Sequence, residues 1–351
     1  MSKKIKPAEQ IDERLDSDPS LEEEVLTCLR RAYEQNVRLT PDRQFTRDRY
    51  RELALELNLA YRSYKIEQLF GSWSQAVATA VSAVVKEDEL TELSPHDEDG
   101  IPYITKRKVK GIYKILVLPD IHVPYHCESA IEAAIQLGEI FQPDEVIQLG
   151  DLLDCYTLST YSRSSYRQGN ISLEINQAKD LLDKIKKRTG AKRATLLEGN
   201  HEARIRKYVL SKAPELASLK QLRVDHMLEL GDIGWSFIPE HKFYQINDVF
   251  FTHGEYANMH SAKKHIDEYR VTVVHGHTHR ITSRYHRGLD KTIAGVELGF
   301  LGSFEVGAEF VKRANWQHGV GTVVIDENDH WINAHHIQNG KVEYNGQIIL
   351  S

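Results

Sequence analysis

The spacing of apolar residues changes once along the chain, and the change divides it. Up to about residue 85 the apolar positions recur at helical intervals. Leu21, Val25, Leu29, Ala32 and Tyr33 share one face. Tyr50, Leu53, Ala54 and Leu57 share a second. After Gly71-Ser72, Trp73, Ala76, Val77 and Ala80 share another. Ser20 and Thr46 stand where N-caps belong, Glu22, Glu23 and Glu24 suit a first turn, and Thr40-Pro41-Asp42 is a break. The pattern predicts a small all-α domain over residues 20–85 behind a loose polar tail at 1–19.

From Tyr113 onward short continuous apolar runs replace the helical spacing. Strands are predicted at 113–118, 145–149 and 194–197, separated by amphipathic helices at 129–141 and 171–188. Further β runs follow at 249–252, 271–274 and 321–325, with a β-rich C-terminal tail. Strands alternating with helices and then a mostly β half predict a mixed α/β sandwich over residues 113–351. Between the two parts, an acidic block (His96-Asp97-Glu98-Asp99) precedes a basic one (Lys106-Arg107-Lys108), so 86–112 reads as a solvated charged linker.

Bulk properties narrow the class. A net charge of −6 over 351 residues gives no global case for nucleic-acid binding, so any such case must be local. The helical region supplies one: Arg30, Arg31, Arg38, Arg43, Arg47, Arg49, Arg51, Arg62 and Lys65 outnumber the acids among them. Arg62, Ser63, Tyr64 and Lys65 are types that reach phosphates and base edges from a groove-bound helix, although a solvated helical face has the same composition. The three widely spaced cysteines read as free thiols. No apolar run has membrane-spanning length and the N-terminus lacks a signal-peptide core, so a cytoplasmic, non-membrane protein is expected.

Candidate chemistry gathers at the strand ends. The first strand runs into Asp120-Ile121-His122, the second into Gly150-Asp151 and the third into Gly199-Asn200-His201-Glu202. The later β runs end in His253-Gly254 and in His275-Gly276-His277-Thr278-His279. Alternation along an extended segment would aim Asp120 with His122, and His277 with His279, to one side. Any one of these elements alone reads as a turn or a core histidine; together they point to a metal centre in the crevice outside the strand ends. Carboxylate, imidazole and amide donors suit borderline or hard divalent ions such as manganese, iron, zinc or nickel, and the donors outnumber what one ion takes. Two ions are therefore expected, in a centre suited to phosphoryl chemistry.

Asp-x-His, Gly-Asp, Gly-Asn-His-Glu, His and Gly-His-x-His, in this order, resemble the motifs of calcineurin-like metallophosphoesterases across roughly residues 113–337. The resemblance implies a four-layer α/β/β/α sandwich. It also implies that Asp120, His122 and His279 hold one ion, that Asn200, His253 and His277 hold the other, and that Asp151 bridges them. Water would attack phosphorus in line with the leaving oxygen, with His201 contacting the phosphate or protonating the leaving group. Glu202 would orient a ligand or His201, or else is simply a helix N-terminal acid. Protein Ser/Thr phosphatases of this superfamily carry Asp-Arg-Gly after the second motif; here Asp154 is followed by Cys155-Tyr156, so that substrate class is not expected. Asp154 reads as a turn residue or a support to the ligands.

The stretch from Thr40 to Val77, closing in Phe70-Gly71-Ser72-Trp73-Ser74-Gln75-Ala76, resembles the helical repeat associated with homing endonucleases, which implies DNA binding. Arg163 and Arg167, interleaved with Tyr161 and Tyr166, and Arg204 after the third motif are candidate substrate contacts, with ordinary polar surface as the alternative. The leading expectation is a dinuclear phosphoesterase cutting DNA phosphodiesters. The alternatives are a small-nucleotide phosphatase or phosphodiesterase with a regulatory helical domain, and a catalytically silent scaffold.

Overall fold

The computed structural model describes residues 104–159, 169–307 and 314–351. From the N-terminal region it describes 25–26, 28–29, 31–33, 35–36, 46–57, 59, 63, 66–67, 73 and 76–77. The chain forms two compact units, Met1–Ile101 and Pro102–Ser351.

In the first unit, α1 (Arg47–Glu56) starts at Thr46, whose side chain accepts from the Arg49 backbone N–H. Tyr50 and Leu53 of α1 pack with Val25, Leu29, Ala32, Ile66 and Ala76 in one small apolar core. Several of the arginines behind the local basic surplus are already engaged. Arg47 pairs with Glu67 at 3.1 Å and Arg51 with Asp48 at 2.7 Å, while buried Arg49 donates to Asn36 at 3.0 Å. Ser63 is a correction to the DNA-contact set: it is buried, and its hydroxyl accepts from Arg51 Nε at 3.0 Å. Arg62, Tyr64 and Lys65 lie outside the described residues.

The second unit contains two sheets. Strands β1 (Ile104–Arg107), β2 (Tyr113–Leu118), β3 (Glu145–Gln148), β4 (Arg193–Leu197), β5 (Ser236–Ile238), β6 (Phe243–Ile246) and β7 (Val249–Phe251) come first along the chain. They are followed by β8 (Thr272–His275), β9 (Ile281–Arg287), β10 (Thr292–Leu298), β11 (Gly319–Ile325), β12 (His330–Gln338), β13 (Lys341–Tyr344) and β14 (Gln347–Leu350). One sheet has the order β14-β13-β12-β11-β2-β3-β4-β5, the other β1-β6-β7-β8-β10-β9. β2, β3, β4 and β5 are parallel neighbours, so their carboxyl ends share one edge.

Period-two alternation explains why these strands are apolar on both faces. Leu116, Leu118, Val146 and Leu196 face α2 (Glu128–Phe141) and α3 (Ile171–Thr189), whereas Ile115, Val117, Ile147 and Leu197 face the second sheet. Asn170 caps α3, accepting from Leu173 N, and Gly190 at φ +67° ends it. On the far side of the second sheet, Ile266 of α4 (Ser261–Tyr269) closes against Gly295 of β10, whose missing Cβ makes the room. The layers are α/β/β/α.

The linker expectation needs correcting at its end. Residues 104–107 are strand β1, parallel to β6, and Arg107 pairs with buried Glu145 at 2.9 Å. A basic run read as solvated therefore supplies the counter-charge for a buried carboxylate that also accepts from Thr195 and Tyr113. No helix among the described residues is long and apolar enough to cross a membrane.

Candidate metal centre

The turns after β2, β3, β4, β7 and β8 bring the ligand-type residues together. Asp120, His122 and His279 form one group, His122, Asp151 and His201 a second, and Asp151, His253 and His277 a third. Within each, the ligand atoms lie within 4.8 Å of one another. Asn200 joins the third group, its Oδ1 being 3.0 Å from His253 Nε2. Asp120, His122, Asp151 and His253 are buried; Asn200, His201, His277 and His279 are half-buried at the rim.

The convergence has a different origin from the alternation argued on sequence. His122, Asp151, His277 and His279 adopt φ of +58°, +52°, +75° and +60°. These residues sit on sharp left-handed turns, not on extended strand, and such backbone strain concentrates at functional sites. Backbone bonds hold the turns: Ile121 and His122 N–H donate to Asp151 O, and Gly276 N–H donates to His253 O, each at 2.9 Å. Gly199 and Gly276 permit the closest approaches, since a Cβ at either would lie 2.2 Å from an oxygen of Asp151 or Asp120 respectively.

Supporting groups fix the ligands in place. The His253 Nδ1–H faces Leu149 O at 3.1 Å, which leaves Nε2 free toward the centre. The His277 backbone N–H donates to both Asp120 oxygens, and that of His201 to Asp151 Oδ1. Glu202 is fully buried and accepts from the backbone N–H groups of Asp151, Leu153 and Gly199, at 3.0, 2.6 and 2.9 Å. It positions the Asp151 turn and makes no bond to His201. Asp154 lies with its carboxylate 3.3 Å from His122 Nδ1, and its carbonyl receives both His201 Nδ1 and Arg204. Sequence left Asp154 between a turn and a support; its spacing three residues after Asp151 was the available signal. Arg204 also donates to His201 Nε2 at 2.8 Å. Arg206, by contrast, pairs with Glu240 at 2.9 Å. Arg163 and Arg167 lie outside the described residues.

The electrostatics favour added positive charge. Burial opposes ionisation of Asp120, yet His279 and His253 hold it down at about 2; Asp151 is likewise held well below the usual carboxylate range by His201 and His253. Burial disfavours protonated imidazoles, but the surrounding carboxylates push His122 up to about 9 and His253 up to about 10. Burial lowers His277 to about 4. Burial and the charge of Asp151 push Glu202 up to about 8 against its backbone donors. Ring nitrogens face one another across short gaps: His122 Nε2 and His279 Nε2 at 3.0 Å, His253 Nε2 and His277 Nδ1 at 3.1 Å. The Nδ1 atom of His279 is buried without a hydrogen-bond partner. Paired lone-pair donors beside buried carboxylates fit divalent cations.

Beside Asn200, His253 and His277 opens a cavity of about 350 Å³, whose walls include Glu198, Glu240, His241, Glu255 and Tyr256.

Residues 113–291, just over half of the chain, match the family profile described as calcineurin-like phosphoesterase. Gene 54 proteins of Mycobacterium phages D29 and L5 are 27% and 26% identical over 232 and 230 residues, covering 61% of this chain and 90% and 89% of theirs. Among solved structures, Vacuolar Protein Sorting 29 from Cryptosporidium parvum aligns with a TM-score of 0.38 at 14% identity, over 68% of this chain and 97% of its own. The Yfce phosphoesterase from E. coli aligns with a TM-score of 0.32 at 16% identity, over 63% and 97% respectively.

Proposed function

The chain belongs to the calcineurin-like phosphoesterase family, and on that premise we propose that it is a dinuclear metal-dependent phosphodiesterase acting on nucleic acid. The observation that carries the reading is the pair of facing imidazole couples set around buried Asp120 and Asp151. Asp120, His122 and His279 would hold one divalent ion and Asn200, His253 and His277 the other, with Asp151 shared between the two groups. Such ions would supply acidification of water and neutralisation of charge on the phosphoryl oxygens.

The chain's own residues then handle charge and protons. Arg204, half-buried beside the ligands, takes a phosphoryl oxygen. That contact draws the guanidinium off His201 Nε2, where it now donates. Freed from that donor, and with Nδ1–H held by the Asp154 carbonyl, His201 takes a proton from solvent at Nε2 and passes it to the leaving oxygen. Glu202 and Asp154 hold the turns on which Asp151 and His201 ride. The likeness of residues 40–77 to the homing-endonuclease repeat supports DNA as the polymer, with the first unit as its reader.

A second reading has its own observation. The cavity of about 350 Å³ beside Asn200, His253 and His277 has the dimensions of a small ligand site, which suits a small-nucleotide diester. The deciding assay is a substrate panel with added Mn²⁺: single- and double-stranded DNA, RNA, bis-p-nitrophenyl phosphate and p-nitrophenyl phosphate. Cleavage of DNA and of the small diester is expected. Turnover of the monoester alone would end the phosphodiesterase reading. Hydrolysis of small diesters without any nucleic acid would favour the second. No turnover and no bound metal by elemental analysis would leave a scaffold.

A further inference from the structure

An aromatic shelf adjoins the candidate ligand His279, which is not among the walls of the cavity. The His279 ring stacks on Phe300, with centroids 4.8 Å apart and planes 11° apart, and meets Trp316 edge-on at 4.7 Å. Phe300 in turn carries Trp316 at 5.4 Å and Phe304 at 5.1 Å, and His318 lies 4.2 Å from Phe304. Burial sorts these rings into two tiers. Phe300 and His318 are buried, while Phe304 is 47% exposed and Trp316 half-exposed.

The lower tier is pinned by the backbone. Phe300 N–H donates to Gln317 O, Gln317 N–H to His279 O and His318 Nε2 to Gly302 O, at 3.0, 2.9 and 2.7 Å. The upper tier therefore rests on a platform tied to the ligand turn itself. Phe304 and Trp316 thus present aromatic surface beside a polar centre.

We propose that Phe304 and Trp316 stack an unpaired nucleobase next to the scissile phosphate, so that the site takes single-stranded or frayed nucleic acid. The inference rests on the nucleic-acid reading above and adds strand state to it. A base offers a flat π-face whatever its sequence, which matches a platform of aromatic rings. In a duplex that face is covered by its stacked neighbours, so only an unpaired base can use the shelf. The strand would pass along the aromatic side of His279.

The test compares the full-length protein with Phe304→Ala and Phe304→Trp, using Mn²⁺. The readout is the ratio of kcat/KM on a single-stranded oligodeoxynucleotide to that on methyl p-nitrophenyl phosphate, a diester without a base. The ratio should fall about 5- to 100-fold in Phe304→Ala, the range expected for losing one base stack, and recover in Phe304→Trp. An oligonucleotide with one abasic position should be cut poorly by the wild type beside that position only. A second measurement needs no turnover: oligonucleotide should quench tryptophan emission of the metal-free protein, and Trp316→Phe should remove that component. An unchanged ratio, even cutting beside the abasic position, or undiminished quenching in Trp316→Phe would overturn the shelf while leaving the nuclease reading standing. Hydrolysis of methyl p-nitrophenyl phosphate with no cutting of any nucleic acid would overturn both.

Discussion

Glu202 shows how one side chain can organise a centre it does not face. Its two oxygens gather backbone N–H groups from the Asp151 turn and from Gly199, so two strand ends close on one carboxylate. Glu202→Gln keeps the shape but turns one oxygen into a donor aimed at N–H groups. Metal affinity should fall about 10- to 100-fold, the usual effect of removing a ligand's support, read by calorimetric Mn²⁺ titration. His201→Ala should behave in the opposite way, keeping metal while turnover drops about 10²- to 10⁴-fold. Wild-type affinity in Glu202→Gln, or lost affinity in His201→Ala, would reverse the roles of the two residues. Sequence placed Asn200 and His201 at a strand end because an apolar run closes in Gly-Asn-His and four other strand ends carry ligand types. It left Glu202 open because accepting from a backbone fifty residues away leaves no mark in local spacing.

At the scale of elements, the strands were legible and the turns were not. The runs at 113–118 and 194–197 fold as read because burial on both faces demands continuous apolar side chains. The i, i+2 argument for Asp120 with His122 paired the right residues for the wrong reason, since left-handed turns at His122, His277 and His279 do the aiming. Alternation holds only while the chain stays extended. The strand β1 was missed because its alternation is hidden in a basic run whose partner, Glu145, lies 38 residues on. One turn offers a sharp test. Gly276 lies where a Cβ would sit 2.2 Å from Asp120 Oδ1. Gly276→Ala should therefore displace a ligand oxygen and lower bound metal at least tenfold, with the circular-dichroism spectrum of the fold retained. Full metal occupancy in that variant would mean the turn is looser than its geometry states.

For the whole molecule, stability and DNA binding give separate readouts. His265 is buried against His275, with ring centroids 4.1 Å apart, and burial lowers it to about 3. A histidine held neutral in the fold costs nothing above its unfolded value near 6.5; below that the unfolded chain gains the proton and the fold does not. Stability is thus lost as pH falls from about 6.5 toward 3, by about 2 kcal/mol from this residue at pH 5. Urea denaturation of His265→Phe should show that much less loss between pH 7 and pH 5; identical slopes would place His265 outside the acid response.

Binding tests the division into units. The second unit has its own two apolar cores and every candidate ligand, so a chain lacking residues 1–101 should hydrolyse bis-p-nitrophenyl phosphate at close to the wild-type rate. On the proposed DNA reading, its affinity for DNA should fall and become less salt-dependent, because each lost Lys or Arg contact to phosphate removes about one unit from the slope of log K against log salt. The internal pairing of Arg47, Arg49 and Arg51 limits how many contacts the first unit can offer, so a modest change in slope is expected. Equal loss of small-diester hydrolysis and DNA binding would mean that residues 1–101 support the second unit's fold. An unchanged salt slope would mean that the polymer is held by the metal centre and its surroundings alone.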